Sequence, residues 1–173
     1  MSYVINMSLK VDNIRKIKKG VNSFAKHMDD IKREFVKESL EYIETKARLN
    51  IQATTGGSSW YELTGTLENS WVLSVDTGIL ENLCYYAALV EYGTGIVGSG
   101  THPAPGSYKY DVNGHGESGW FFVDAQGNVH WTKGMKAHRF LYDAINEYIL
   151  SGEYRNIFKR VTQKYMDKDF GKI

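Results

Sequence analysis

The chain has 173 residues, 42% hydrophobic and 24% charged, which is enough for one domain with a real core. Its 21 Lys and Arg against 20 Asp and Glu leave a net charge of +1, without the basic excess of a protein that coats nucleic acid. No apolar run approaches the roughly 18 residues of a membrane span, and the start MSYVINMSLKVD lacks the basic-then-apolar order of a signal peptide.

Tyr3 to Val11 alternates loosely and predicts a short strand, with Asp12 placed to cap the helix that follows. Ile14, Ile17, Val21, Phe24, Met28, Ile31 and Phe35 recur in alternating steps of three and four, an apolar stripe along one helical face. The stripe changes phase after Phe35 and resumes with Leu40, Ile43 and Ala47. One unbroken helix from Asp12 to Gln52 would run roughly 60 Å at about 1.5 Å per residue. A domain of this size is only about 40 Å across. A break near Gly20 is therefore expected, followed by a longer helix from Ser23 to about Ile51. The stripe reads first as a core-facing surface and second as a seam between molecules.

ATTGGSSW ends the helix as a loop, and Gly65 or Thr66 caps a short helix through Leu67 to Ser70. Trp71 to Val75 alternates as a strand. Asp76-Thr77-Gly78 turns the chain into a second strand within ILENLCYYAALVEYG. From Gly93 to Gly119 glycine is frequent, both prolines occur and apolar periodicity disappears, a long loop of the kind usually kept for function. GWFFVDAQGNVHWTKG predicts a hairpin, Trp120–Asp124 with Val129–Lys133. FLYDAINEYIL then predicts a helix ending near Ser151-Gly152, and Tyr154, Ile157, Phe158, Val161 and Tyr165 mark a final amphipathic one. Its basic side (Arg155, Lys159, Arg160, Lys164) reads as a solvated face before a partner surface.

The fold class expected is α+β: a long N-terminal helix and a C-terminal helix packed on a mostly antiparallel sheet of about four strands. One domain would span 1–150, with the loop 93–119 as an insertion and 151–173 as a helical tail.

Gly93, Gly95 and Gly98 satisfy G-x-G-x-x-G. A dinucleotide site requires such glycines to turn a strand straight into a helix that receives the pyrophosphate. His102-Pro103-Ala104-Pro105 instead holds the following backbone extended, so a nucleotide cradle is not expected. His102, Asp111, His115 and Glu117 share the loop as conceivable metal ligands, yet their spacing matches no recognised zinc or iron pattern. The one cysteine, Cys84, suits the cytosol, permits no disulfide within the chain and reads as a packed side chain rather than a nucleophile. The 12 Tyr and 4 Trp raise a carbohydrate- or cell-wall-binding surface, although Trp71, Tyr85 and Trp120 fall at core-like positions. No catalytic residue, cofactor or metal site is expected.

Two blocks in order, YYAALVEYGTG and KGMKAHRFLYDAINE, together resemble the signature of the "gene product ten"-like family of tailed bacteriophages. Tyr86, Ala87, Val90, Glu91, Tyr92, Gly93 and Thr94 match the first block, and Ala137, His138, Arg139, Phe140, Leu141 and Ala144 the second. Thr64-Gly65-Thr66-Leu67-Glu68-Asn69-Ser70 matches a further block upstream, and the charged N-terminal helix fits as well. Arg139 stands where the family usually has proline. The resemblance covers roughly residues 12–150 and implies a structural subunit of the virion neck, collar or tail end. Such a subunit assembles in the host cytoplasm into a ring with copies of itself, taken as hexameric, and joins other neck, tail-terminator or tail-tube proteins. It needs neither a membrane nor specific nucleic-acid binding. Glu91, Tyr92, Gly93, Thr94, Arg139 and Phe140 are the candidate interaction residues, Glu91 and Arg139 as a possible pair. Residues 94–118 are expected to stay loose in the free subunit and to order against a neighbour. A wall- or carbohydrate-binding module, or a metal-dependent enzyme, stands as the alternative.

Overall fold

The computed structural model describes residues 11–54, 65–110, 118–124 and 126–170. The strand expected from Tyr3 lies outside them, and so do Asp111, His115 and Glu117. The elements in order are α1 (Val11–Lys26), α2 (Met28–Thr54), α3 (Thr66–Asn69), β1 (Trp71–Ser74), β2 (Ile79–Asn82), α4 (Ala87–Tyr92), α5 (Gly95–Gly98), β3 (Trp120–Val123), β4 (Val129–Thr132), α6 (Phe140–Leu150) and α7 (Glu153–Phe170). The class is α+β, as the sequence implies. The sheet differs from expectation: the four strands among the described residues form two separate antiparallel hairpins, β1 with β2 and β3 with β4.

The chain divides into two compact units, one joining the residues before Leu40 to those after Ser151, the other running from Leu40 to Ser151. The final helix is therefore half of a unit with the first, where the sequence suggested an appended tail.

In the first unit α1 passes through Gly20 without a break, and the interruption comes at His27, whose N–H bonds to Phe24 O. Gly20 serves a different purpose, letting the Phe170 ring of α7 sit where a side chain would stand. The Ser23 hydroxyl donates to Asp169 Oδ1 at 2.7 Å, and the His27 and Tyr165 rings meet at 5.3 Å. Ile31, Ile157 and Val161 are buried, and Phe35 meets Phe158 edge-on. Lys164 reaches Glu34 at 2.6 Å along the rim.

The second unit is built around Ala47, Ile51, Leu67, Cys84, Ala87, Phe140 and Ala144, with Ile43, Trp71, Tyr86, Val90 and Leu141 packed against them. Gly65, left-handed at φ 69°, starts α3 as expected. The run expected to be one long second strand stops at Asn82, and Ala87–Tyr92 is helical. Ala87 and Glu91, about one helical turn apart, are its buried residues. Tyr85 is 91% exposed rather than core, while Trp71 and Trp120 are half-buried. The β3–β4 hairpin agrees closely with the sequence. Its turn is tied by Asp124, whose carboxylate accepts from the backbone N–H groups of Gln126 and Asn128 and pairs with His130 Nε2 at 2.8 Å.

Candidate functional site

The residues that carry the two motif blocks meet at one buried carboxylate. The first four N–H groups of a helix have no partner inside it and need an acceptor. Arg139, at the head of α6, is left-handed (φ 52°), and its side chain makes no capping bond. Glu91, from α4, takes that role: Oε2 accepts from Leu141 N–H at 2.9 Å and Oε1 from Tyr142 N–H at 2.9 Å. A carboxylate at the positive end of a helix is also favoured by the peptide dipoles. Backbone bonds lock the same joint, His138 N–H to Val90 O at 3.0 Å and Arg139 N–H to Glu91 O at 3.1 Å. Glu91 and Arg139 are thus linked, but through main chain and cap. The Arg139 guanidinium turns outward to Asp143 at 3.4 Å.

His102 closes the far side. It is buried, and its Nε2 lies 3.2 Å from Glu91 Oε1. Its Nδ1 accepts the Ala104 N–H at 3.1 Å, so Nε2 carries the proton and donates it to Glu91. The Tyr92 ring stacks on Tyr108 at 4.7 Å and touches His102 at 4.6 Å. The Tyr108 hydroxyl donates to Gly93 O at 2.9 Å, and burial pushes that hydroxyl's pKa up.

The glycines answer the question that their spacing raises. Thr94 and Met135 exchange backbone bonds of 2.9 and 3.1 Å, which lays residues 93–98 directly on residues 133–137. A side chain on Gly93 would stand 2.6 Å from Met135 O, and one on Gly98 would stand 2.7 Å from the same oxygen. Close approach of two backbones is what these positions require. A one-turn helix, α5, does occur within the pattern, while the His102–Pro105 stretch that follows carries no helix, and α4 replaces the strand expected before it. The described part of the long loop is held by its own chain: Gly95 N–H bonds to Tyr110 O at 2.8 Å, and Ala137 N–H to Thr101 Oγ1 at 2.9 Å.

All six candidate residues fall in or beside this joint. Phe140 is buried and meets Trp71 edge-on at 6.0 Å, Thr94 bridges to Met135, and Tyr92 and Gly93 form the platform for Tyr108. The sequence offers His102 as a conceivable metal ligand or as a base beside Cys84, and gives no signal for Thr101 or Tyr108. Cys84 is buried in the core, its N–H bonded to Asn82 Oδ1. Among the described residues no three His, Cys, Asp or Glu side chains gather as a metal site would require, and no helix is long and apolar enough to cross a membrane. Both Glu91 oxygens and both His102 nitrogens are taken up by fixed partners, so the arrangement braces loops and positions a helix. Comparison with protein-family models, curated proteins and solved structures finds no match for this chain.

Proposed function

We propose that the protein is a structural subunit of a tailed-phage neck, collar or tail end that acts by assembling into a ring and joining tail to head-proximal connector. The observation that carries this reading is the convergence of the two resembling blocks on the Glu91 cap. The motif residues serve there as an internal brace rather than a reactive centre. The surface also keeps large apolar side chains in water, among them Leu83, Tyr85, Phe121, Trp131 and Leu150. Contiguous exposed apolar surface, such as Phe121 against Trp131, marks contact sites for other molecules.

Multi-angle scattering and negative-stain imaging of the purified chain, alone and with its neighbouring tail proteins, test the proposal. A closed ring, and the protein's presence in purified particles, are the expected results. A lasting monomer missing from particles overturns it.

The exposed Phe121–Trp131 pair, 4.7 Å between centroids, favours a second reading as a carbohydrate-binding surface. Co-sedimentation with cell walls, lost when Trp131 is replaced by Ala, would favour that reading instead.

A further inference from the structure

Helix α1 has three faces at 100° per residue. Gly20, Ser23 and His27 face α7. Arg15, Lys18, Lys19 and Lys26 line a shallow basic depression on a second face. Ile14, Ile17 and Val21, continued by Met28, form a third, apolar and exposed among the described residues. The same stripe is satisfied further along, where Ile31 is buried and Phe35 packs on Phe158. So the unfilled part is a continuation of a packing seam, bordered by cations.

The β3–β4 hairpin offers a second unfilled surface. The register pairs Phe121 with Trp131 and Val123 with Val129, which places all four on one face. They are 67%, 52%, 64% and 65% exposed respectively. A two-stranded hairpin is marginal in water by itself and gains from a cover. Between Trp120 and Thr132 it carries one carboxylate, Asp124, and no Lys or Arg, whereas α1 holds five Lys and Arg against one Asp.

We infer that the occupant of each surface is a second copy of this chain: the apolar stripe of α1 in one copy covers the Phe121–Val123–Val129–Trp131 face in the next. The inference rests on the ring reading above and names its contact. Charge argues against the symmetric pairing of two α1 helices. Two α1 helices placed stripe to stripe would bring their basic rows together. Against the hairpin, the same cations meet aromatic rings, which attract them through the ring quadrupole. Joining two different patches gives a head-to-tail contact, the kind that generates rings.

The test uses the full chain with Val21→Cys in one tagged sample and Val129→Cys in another, mixed and treated with a short bismaleimide. Cys84 is buried and serves as the unreactive background. Covalent dimers between the two variants are expected to exceed like-with-like dimers by about tenfold, a ratio that corresponds to about 1.4 kcal/mol of preference. Val21→Glu is expected to raise the concentration needed for assembly by about tenfold or more, with the helical circular dichroism unchanged. Rings whose cross-links are like-with-like, or that carry none, overturn the contact and leave the ring reading standing. A monomer at every concentration, with and without tail proteins, overturns both.

Discussion

Glu91 shows how one side chain can hold two distant stretches of sequence together. Its oxygens take two helix N–H groups and the His102 ring, so Glu91→Gln would present an amide N–H2 to a donor in a buried place. Leaving a buried donor unmatched costs about 1–3 kcal/mol. Thermal unfolding of the Gln variant should therefore begin several degrees lower, with α6 amides from Leu141 and Tyr142 exchanging faster than the rest of that helix. His138 supplies a pH dependence. Burial pushes its imidazole pKa below the ordinary value. The unfolded chain therefore takes up this proton at a higher pH than the folded one, and stability present above about pH 6.5 is lost as pH falls through that region. Denaturant melts from pH 8 to pH 5 should show this slope in the native chain and a shallower one in His138→Gln. Asp124 acts in the lower range. The hydrogen bonds from His130 and Asn128 hold its carboxyl far below the usual carboxylate range, so hairpin stability persists down to about pH 4 and fades only below it.

At the scale of elements, backbone proximity matters as much as apolar packing. Residues 93–98 lie on residues 133–137 closely enough that Gly98→Ala drives a methyl against Met135 O and the Gly93 carbonyl carbon, both main-chain atoms that cannot swing aside. Overpacking of this kind costs about 1–3 kcal/mol. Chemical denaturation should register that loss, whereas Gly100→Ser, in open space at the next turn, serves as a comparison limited to its own backbone strain. Helix α7 is held differently: its Phe170 ring fits over Gly20 of α1, its Ile157 and Val161 are buried, and Lys164 pairs at the rim with Glu34 of α2. Exposed ion pairs contribute little, and the buried aliphatic contacts carry that unit.

At the scale of the whole molecule, the two compact units each close a core and each leave apolar faces in water. If those faces bind copies of the chain, association stabilises the folded state by mass action, and the melting temperature climbs with protein concentration. A tenfold dilution series followed by calorimetry checks this, and a melting temperature constant across it would speak against self-association. How much of this was legible in the residues varied with the range of the interaction. The helices α2, α6 and α7, the start of α3 at Gly65 and the β3–β4 hairpin follow from local periodicity and turn chemistry, and they stand close to where the sequence puts them. The Ala87–Tyr92 helix and the uninterrupted path through Gly20 do not, because each depends on a partner far away in the chain: the α6 N-terminus for one, the Phe170 ring for the other. The motif residues could be picked out, but not their geometry. That Glu91 would cap a helix fifty residues on, and that His102 would lie buried against it, are matters of which loops close over which, and loop closure leaves no period in a sequence. The chain by itself determined its α+β composition, its amphipathic helices and its turns, since these rest on neighbours a few positions apart. Only the tertiary structure decided what the glycines are for and which apolar faces stay in water, since a side chain's burial depends on atoms that its own sequence neighbourhood does not contain.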